Sequence, residues 1–353
     1  MVNTFYNILS YPSRKEAYYM KKSKAPSGLT AIFVMIIAIQ VSISGPFRGP
    51  QIVTPEPPPP IEELLPQGDR ADIDLKLRIL LGDHINEITM EQYLIGVVAA
   101  EMPASFELEA LKAQAVAART NALYSMLVLQ KPRHPDAHVC SDFTCCTAYS
   151  NDERLRERWG YDYVRNITGI ITAVTETDGI FLSYDDQPII ASFHSSSARR
   201  TESSVNVWMS ALPYLRSVSS PETELQVPNY VADVTVSLED FIDIILSAYP
   251  DAVLDGVEES WITDVTHTES GRIYELVIGG VPVRGTAIRS LFDLRSTAIM
   301  FKWIPSDGIT FTTTGFGHGV GMSQYGANAM AADGSDYSEI LLHYYTGATF
   351  GAF

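Results

Sequence analysis

The chain is poor in basic residues. Its 353 residues include 25 Lys and Arg against 42 Asp and Glu, a formal net charge of −17. So acidic a surface argues against nucleic acid as a partner. No internal repeat is visible, and there are only three cysteines. Aromatic and aliphatic residues are ample for a core, so the chain is not a disordered protein, and its length allows one large or two modest domains.

Long apolar runs are also scarce. The strongest, LTAIFVMIIAIQVSI, falls short of the roughly 20 residues that span a bilayer comfortably. Its Ser, Gly and Pro flanks can extend it, which predicts a single-pass membrane anchor over residues 29–45. Basic residues precede it: Arg14, Lys15, Lys21, Lys22 and Lys24. They predict a cytoplasmic tail over residues 1–28 and place the bulk of the chain outside the cell membrane. A cleaved signal peptide is the alternative.

A proline-rich segment follows the apolar run. Residues 46–69 include PEPPPPIEELLPQGD, a stiff and extended spacer that would hold a domain off the membrane. From Ile73 to Ile79, apolar residues alternate with charged ones, which predicts a half-buried strand. The extracytoplasmic domain is therefore expected to span residues 70–353.

Within that domain, helical and strand patterns are interspersed. Residues 237–249 and 287–294 have the apolar spacing of helices, whereas residues 167–197 and 261–285 read as short strands joined by turns. No regular βαβ repeat connects them, so the predicted class is α+β, mixed helices and short strands. Residues 227–294 are a candidate for a separate, smaller lobe.

An acidic residue interrupts the apolar stripe of one helix. The run from Thr89 to Met102 predicts a helix that Thr89 and Gln92 cap reciprocally. Its stripe comprises Leu94, Val97, Val98 and then Glu101. Burial in an apolar setting disfavours a charged carboxylate and raises its pKa, so Glu101 could donate a proton near neutral pH. The alternative is a buried glutamate paired with a basic residue.

The chain is expected to kink just after this acid. Pro103 stops the helix, and Ser105 can cap a second one, from about Phe106 to Leu129. That helix carries Lys112 and Arg119 seven residues apart, close to one face. Such a kink could point both cations at the acid.

Four stretches resemble one family in order. They are YLIGVVAAEMPASFELEALKAQAVAARTNAL (Tyr93 to Leu123), FHSSS (Phe193 to Ser197), PYLRSV (Pro213 to Val218) and GFGHGVGMSQYGA (Gly315 to Ala327). Together they resemble the stage II sporulation protein D family, whose domain also occurs in amidase enhancers. The resemblance covers roughly residues 70 to 353. It implies a lytic transglycosylase of peptidoglycan, with Glu101 matching the family's catalytic glutamate.

The cysteines crowd together with two histidines. His134 and His138 lie just before Cys140, Cys145 and Cys146, and zinc favours such soft and borderline ligands. A Cys140 to Cys146 disulfide is the competing interpretation. The family resemblance favours zinc, since relatives often have His-Cys where this chain has Cys145 and Cys146. We predict His134, Cys140, Cys145 and Cys146 as ligands, with His138 the substitute, in a closed and therefore structural site.

Other residues are candidates for binding a glycan. Glycines around His318 would let backbone approach a ligand, and the alternative is that they serve tight turns only. In FHSSS this chain continues with Ala198 where relatives tend to have glycine, which puts substrate contacts there in doubt. The candidate set is Lys112, Arg119, His194, Ser195, Ser197, Tyr214, His318, Gln324 and Tyr325.

The resulting prediction is a membrane-anchored lytic transglycosylase that acts during engulfment in sporulation. Glu101 would protonate the glycosidic oxygen and then take the proton of the 6-hydroxyl, leaving a 1,6-anhydro end. The resemblance implies glycan strands stripped of stem peptides as substrate and a membrane-bound amidase as partner. The alternatives are a non-catalytic glycan-binding amidase enhancer and a zinc hydrolase that uses the cysteine cluster.

Overall fold

A computed structural model describes residues 58–129, 133–142, 144–305 and 307–353. The predicted tail and anchor, residues 1–28 and 29–45, and most of the linker lie outside these described residues. Among the described residues, no helix is long and apolar enough to cross a membrane. The described residues form one compact unit.

Helices and short strands alternate along the chain, which confirms the predicted α+β class. The helices are α1 (Ile61–Leu64), α2 (Ala71–Asp74), α3 (Met90–Glu101), α4 (Leu108–Leu127), α5 (Asp152–Trp159), α6 (Tyr163–Thr175), α7 (Ser204–Trp208), α8 (Leu238–Ala248), α9 (Gly285–Leu291), α10 (Gln324–Ala332) and α11 (Tyr337–Tyr344), with 3-10 turns at Gly160–Asp162 and Glu258–Ser260. The strands are β1 (Lys76–Leu81), β2 (His84–Thr89), β3 (Val139–Cys140), β4 (Ile180–Tyr184), β5 (Gln187–Pro188), β6 (Phe193–His194), β7 (Val231–Ser237), β8 (Ile262–His267), β9 (Ile273–Ile278), β10 (Val281–Arg284), β11 (Ile299–Ile304), β12 (Gly308–Thr314), β13 (Met322–Ser323) and β14 (Thr349–Ala352).

One hydrophobic core is built around α3, α4 and α6. Its buried residues include Leu94, Val116 and Ile170. The alanines of α4 are buried in a row, and their small side chains let neighbouring elements pack closely on several sides of this helix. Two small sheets flank the core, in the orders β2-β1-β3 and β14-β4-β5.

A second hydrophobic core lies between two antiparallel sheets and α8. The sheets have the orders β11-β12-β7 and β10-β9-β8. Phe241 of α8 stacks on Trp261 and Phe292 at ring centroid distances of 6.3 and 5.5 Å. This core runs from Val236 to Phe311, so it overlaps the segment predicted as a separate lobe and extends beyond it. The lobe's status as a domain stays a prediction.

Several predicted elements need correction. Residues 167–175, predicted as strand, belong instead to α6, because the buried residues of this helix follow helical spacing: Tyr163, Ile167, Ile170, Ile171 and Val174. The strand predicted from Ile73 begins only at Lys76, since α2 precedes it. Ser105 does not cap α4; its N-cap is Glu107, without a side-chain cap bond.

Candidate active site

Glu101 is the last residue of α3. Its helix has the predicted capping box, in which the Thr89 hydroxyl accepts from the Gln92 N–H and the Gln92 side chain accepts from the Thr89 N–H. Leu94, Val97 and Val98 are fully buried, whereas Glu101 is half-buried. The carboxyl group therefore stands where the apolar stripe reaches the surface.

Two groups hold the Glu101 carboxylate. The backbone N–H of Ala148 donates to Glu101 Oε1 at 2.7 Å, and the Gln324 side chain donates a second hydrogen bond. Burial raises the pKa of Glu101 above its usual range, and these two hydrogen bonds partly oppose the rise. No second carboxylate of the described residues contributes to that pKa. The site thus presents an acid with an elevated pKa.

The glycine-rich stretch before α10 reaches this acid through Gln324. Ser323 caps α10 by accepting from the Gly326 N–H at 3.2 Å. Gln324, the next residue, is buried, and its Nε2 lies 3.4 Å from Gln114 Oε1 on α4. Tyr325 packs edge-on against Phe106 at 5.0 Å, which fixes α10 beside the kink. The structure therefore brings Gln324 and Tyr325 to the region of Glu101.

The two predicted cations are directed elsewhere. Arg119 is fully buried and pairs with Asp72, with a 2.8 Å Nε to Oδ1 distance and a 2.5 Å Nη2 to Oδ2 distance. Lys112 Nζ lies 2.7 Å from Glu109 and 2.7 Å from Glu176. The picture of a kink that points both cations at Glu101 is wrong. Arg119 is a structural residue, because a fully buried guanidinium with a carboxylate partner has no access to a ligand.

FHSSS forms a buried network. His194 Nε2 and Ser197 Oγ are 2.6 Å apart, and His194 Nδ1 lies 3.2 Å from the Val320 carbonyl oxygen. Burial lowers the pKa of His194 well below its usual range, and Ser197 is fully buried. These two residues brace β6 against β13, which corrects their predicted contact with substrate. Ser195 is half-buried and accepts through its carbonyl from the Tyr325 N–H at 3.0 Å.

Tyr214 is also mainly a packing residue. It is 8% exposed, and its hydroxyl accepts a hydrogen bond from the Ile190 N–H at 3.2 Å. Its ring packs on Tyr184 at a centroid distance of 5.6 Å. The predicted substrate contact of Tyr214 is therefore wrong for this packing, which leaves little of the ring open to a glycan.

His318 has a different setting from His194. Its ring is half-buried and lies 5.7 Å from both the His194 and Trp208 rings. The Val320 N–H donates to its Nδ1 at 3.0 Å, which leaves Nε2 as the donor nitrogen, 3.4 Å from Ser192 Oγ. Burial, with Arg289 and Arg272 nearby, lowers the pKa of His318 to about 4. His318 is thus neutral near pH 7 and suited to hydrogen bonding.

The predicted metal ligands come together. One ligand atom each from His134, Cys140, Cys145 and Cys146 lies within 4.8 Å of every other. Tetrahedral zinc with bonds of about 2.3 Å to sulfur needs ligand atoms about 3.8 Å apart. His134 Nδ1 lies 3.0 Å from the Ala137 carbonyl, which leaves Nε2 for a metal. These residues fit zinc.

The crowding of the three thiol groups is compatible with a bound cation. The three cysteines do not form a disulfide with one another. Contacts with Cys145 and Cys146 raise the pKa of Cys140, so the crowded sulfurs resist becoming thiolates unless a cation compensates their charge. His138 lies outside the cluster, and its Nδ1 accepts from the Arg78 N–H at 3.1 Å.

The cysteine loop leads directly to the acid. Thr147 Oγ1 is 2.9 Å from Tyr93 Oη of α3, and Tyr149 stacks on Tyr93 at 6.2 Å. Gly96 permits this approach, since a Cβ there would lie 2.3 Å from the Tyr149 ring. Between these contacts, Ala148 donates to Glu101. The loop that carries Cys145 and Cys146 therefore positions the carboxyl group.

The sequence analysis missed three residues that contribute to the candidate active site. Gln114 is a fully buried polar residue in an alanine-rich helix, and this interruption of the apolar pattern was a usable signal. Trp208 packs on His318 and is the last residue of the five-residue helix α7. So short a helix has no recognisable apolar periodicity that could have predicted this contact. Ala148 acts through its backbone N–H, so its side chain gives no sequence signal for this role.

Comparisons with known proteins agree on one family. A family described as "Stage II sporulation protein" matches residues 82–184. Stage II sporulation protein D of Bacillus amyloliquefaciens is 40% identical over 268 residues, which cover 74% of both chains. Stage II sporulation protein D of Bacillus subtilis (strain 168) is 40% identical over 265 residues, again 74% of each. The amidase enhancer of Bacillus subtilis (strain 168) is 29% identical over 302 residues, 72% of this chain and 40% of that protein.

Proposed function

The chain belongs to the stage II sporulation protein D family, and on that basis we propose that it is a lytic transglycosylase of peptidoglycan in sporulating cells. The observation that carries the proposal is the partly buried acid Glu101. Glu101 has a raised pKa and fixed hydrogen-bond donors, without a second carboxylate among the described groups that influence it. Hydrolytic glycosidases usually use two carboxylates. One is enough when the substrate supplies its own nucleophile.

In this mechanism, Glu101 acts first as an acid and then as a base. Its protonated form donates to the glycosidic oxygen as the bond between muramic acid and glucosamine breaks. The resulting carboxylate takes the proton of the muramic acid 6-hydroxyl, whose oxygen bonds to C1, and a 1,6-anhydro end results. Ala148 and Gln324 stabilise the carboxylate and keep it in place between the two steps.

Zinc is proposed as a structural ion. His134, Cys140, Cys145 and Cys146 would hold it, and four protein ligands leave no position for a reactive water. A bound ion would fix the loop that presents the Ala148 N–H. A zinc hydrolase, in contrast, would need a reactive water on its metal.

Glu101→Gln tests the assignment. We expect the full-length protein to release fragments with anhydro ends from stripped peptidoglycan strands, as measured by mass spectrometry. Glu101→Gln should release none, and its melting temperature should equal that of the wild-type protein. Glutamine keeps the size and hydrogen bonding of the side chain but cannot transfer the proton. Reducing ends would indicate hydrolysis. Unchanged strands that still bind the wild-type protein would favour a non-catalytic enhancer, as the similarity to the amidase enhancer suggests.

The membrane anchor over residues 29–45 and the amidase partner are part of this proposal. An anchor would keep the domain beside the cell membrane, where engulfment remodels the wall. An amidase there would supply stripped glycan strands.

A further inference from the structure

The guanidinium group of a buried arginine beside the glycine-rich stretch has no hydrogen-bond partner among the described residues. Arg272 is 1% exposed, and its Nε, Nη1 and Nη2 are all buried without a partner among the described residues. Leaving so many donors unsatisfied is costly, because a buried charged group normally needs compensating hydrogen bonds. The guanidinium lies directly against Gly319, where an added Cβ would be 2.8 Å from Arg272 Cζ.

Nearby carboxylates do not satisfy this guanidinium. Glu202 and Glu222 are close enough to influence the pKa of Arg272. Glu202, however, accepts from Ser203, Asn206, Thr268 and Ser270. Glu222 accepts from Ser197, Ser220 and Ser323. Both carboxylates are therefore already engaged, and they offset the charge of Arg272 only from a distance.

Two more arginines approach the same stretch. Arg295 accepts from the Gly317 N–H through its carbonyl at 2.9 Å, and its guanidinium lies 4.1 Å from the Phe316 ring centroid. Its Nε is buried and unpartnered among the described residues. Arg289 donates to the Leu294 carbonyl at 3.2 Å and is near enough to lower the pKa of both His318 and Arg272. Arg272, Arg289 and Arg295 are named the arginine cluster below.

The cluster is unexpected in so acidic a chain. With a net charge of −17, the protein as a whole repels polyanions. Three positive groups converge on one glycine-rich stretch, beside a neutral His318 and the Trp208 ring. Arg289 and Arg295 are half-buried and so partly open to solvent, while the buried Arg272 adds positive charge close by. A positive, partly dehydrated surface of this kind suits an anionic ligand, because hydrogen bonds from arginine to a carboxylate are strengthened by charge.

Resting on the proposed function, we propose that the arginine cluster recognises the lactyl carboxylate of muramic acid in stripped glycan. In intact peptidoglycan, this carboxyl group is tied up in a neutral amide bond to the stem peptide. An amidase that removes the peptide leaves a free carboxylate on every muramic acid. The protein would then select stripped strands by attraction to this new charge, beyond any steric exclusion of the peptide.

Binding to two versions of one glycan tests this inference. The first is amidase-stripped glycan. The second is the same material with its carboxylates coupled to methylamine, which restores a small neutral amide. Full-length Glu101→Gln protein, which cannot consume the ligand, should bind the carboxylate form about tenfold more tightly. Equal affinity for both forms would overturn the inference.

Variants locate the effect. Adding Arg289→Gln or Arg295→Gln to that background should abolish the preference for carboxylate and leave the affinity for the methylamide form unchanged. Arg165→Gln is the matched control, since Arg165 is a surface residue paired with Asp162 and should keep the preference. Retention of the preference in both cluster variants would contradict the assignment.

Arg272→Met separates binding from folding. Methionine is uncharged and similar in length, so the melting temperature should stay level or rise while the preference weakens. A lower melting temperature with an intact preference would make Arg272 structural and overturn its role. Products of the wild-type protein are measured in parallel. Anhydro ends without a carboxylate preference would refute only the cluster, and a preference without anhydro ends would refute only the transglycosylase.

Discussion

Arg119 and Arg272 are both fully buried, yet they differ in what surrounds them. Arg119 donates to Asp72 and to the carbonyls of Ile180 and Val174. The Arg272 guanidinium donates to no group among the described residues. The first arrangement is a closed structural pair, whereas the second leaves buried donors unsatisfied by any described residue. For these two arginines, the completeness of the hydrogen bonds separates a structural role from a candidate binding role.

Removal of Arg119 should destabilise the protein rather than alter its chemistry. Arg119→Ala leaves the Asp72 carboxylate buried without its partner, and we expect a loss of about 3 to 5 kcal/mol in the free energy of unfolding. Urea denaturation measures this change. Arg165→Ala, which breaks an exposed pair, is the control and should leave stability nearly unchanged. Equal stability of the two variants would contradict the structural role of Arg119.

At the scale of elements, the glycines before α10 allow β13 to lie against β6. Gly321 has a φ of +72°, and a Cβ there would be 1.9 Å from the Ser192 carbonyl oxygen. No side chain fits without moving the strand. This close approach sets the position of Ser323 and hence the start of α10, which carries Gln324 toward Glu101.

Gly321→Ala and Gly334→Ala form a matched pair. Both glycines have positive φ, but an added Cβ at Gly334 has open space around it. We expect Gly321→Ala to cost about 2 kcal/mol more in unfolding free energy, because it combines backbone strain with a clash. Thermal or urea denaturation compares them. Similar losses of unfolding free energy would mean that only backbone strain matters and that β6 and β13 can move apart to accept the added Cβ.

The cysteine loop is a second element whose position affects the acid. Protein purified without added metal should contain one zinc ion per chain, and strong chelation should lower its melting temperature, because binding energy at a structural site is also folding energy. Elemental analysis and thermal denaturation measure both. His134→Ala should lose the metal, whereas His138→Ala, outside the cluster, should keep it. No metal, with a Cys140 to Cys146 bridge found by peptide mapping, would replace zinc with a disulfide.

At the scale of the whole molecule, substrate choice depends on whether the peptidoglycan still carries its stem peptides. We expect the full-length protein to cleave amidase-treated glycan and to leave intact peptidoglycan nearly untouched. Stem peptides occupy space beside the glycan and also mask its carboxylates, so both effects act in one direction. Soluble anhydro products from the two substrates measure the difference. Equal rates would remove the need for a partner amidase and indicate a general wall-degrading enzyme.

Local patterns in the sequence were enough for several features. The capping box of α3, the buried stripe that ends at Glu101 and the His-Cys grouping all involve residues near one another in the chain. Their geometry follows from helical spacing, capping chemistry and short loops. Local pattern and the family resemblance together could therefore single out Glu101 and the four candidate metal ligands without knowledge of the fold, and their roles stay predictions.

Contacts between distant segments required the tertiary structure. Isoleucines near residue 170 suit strand and helix alike, and packing against α4 decided for a helix. Arg119 and Asp72 are 47 positions apart, as are Glu101 and Ala148. No periodicity records such pairs, because each depends on how separate elements pack. The same holds for the arginine cluster, whose unpartnered donors can be recognised only once every neighbouring carboxylate has been placed.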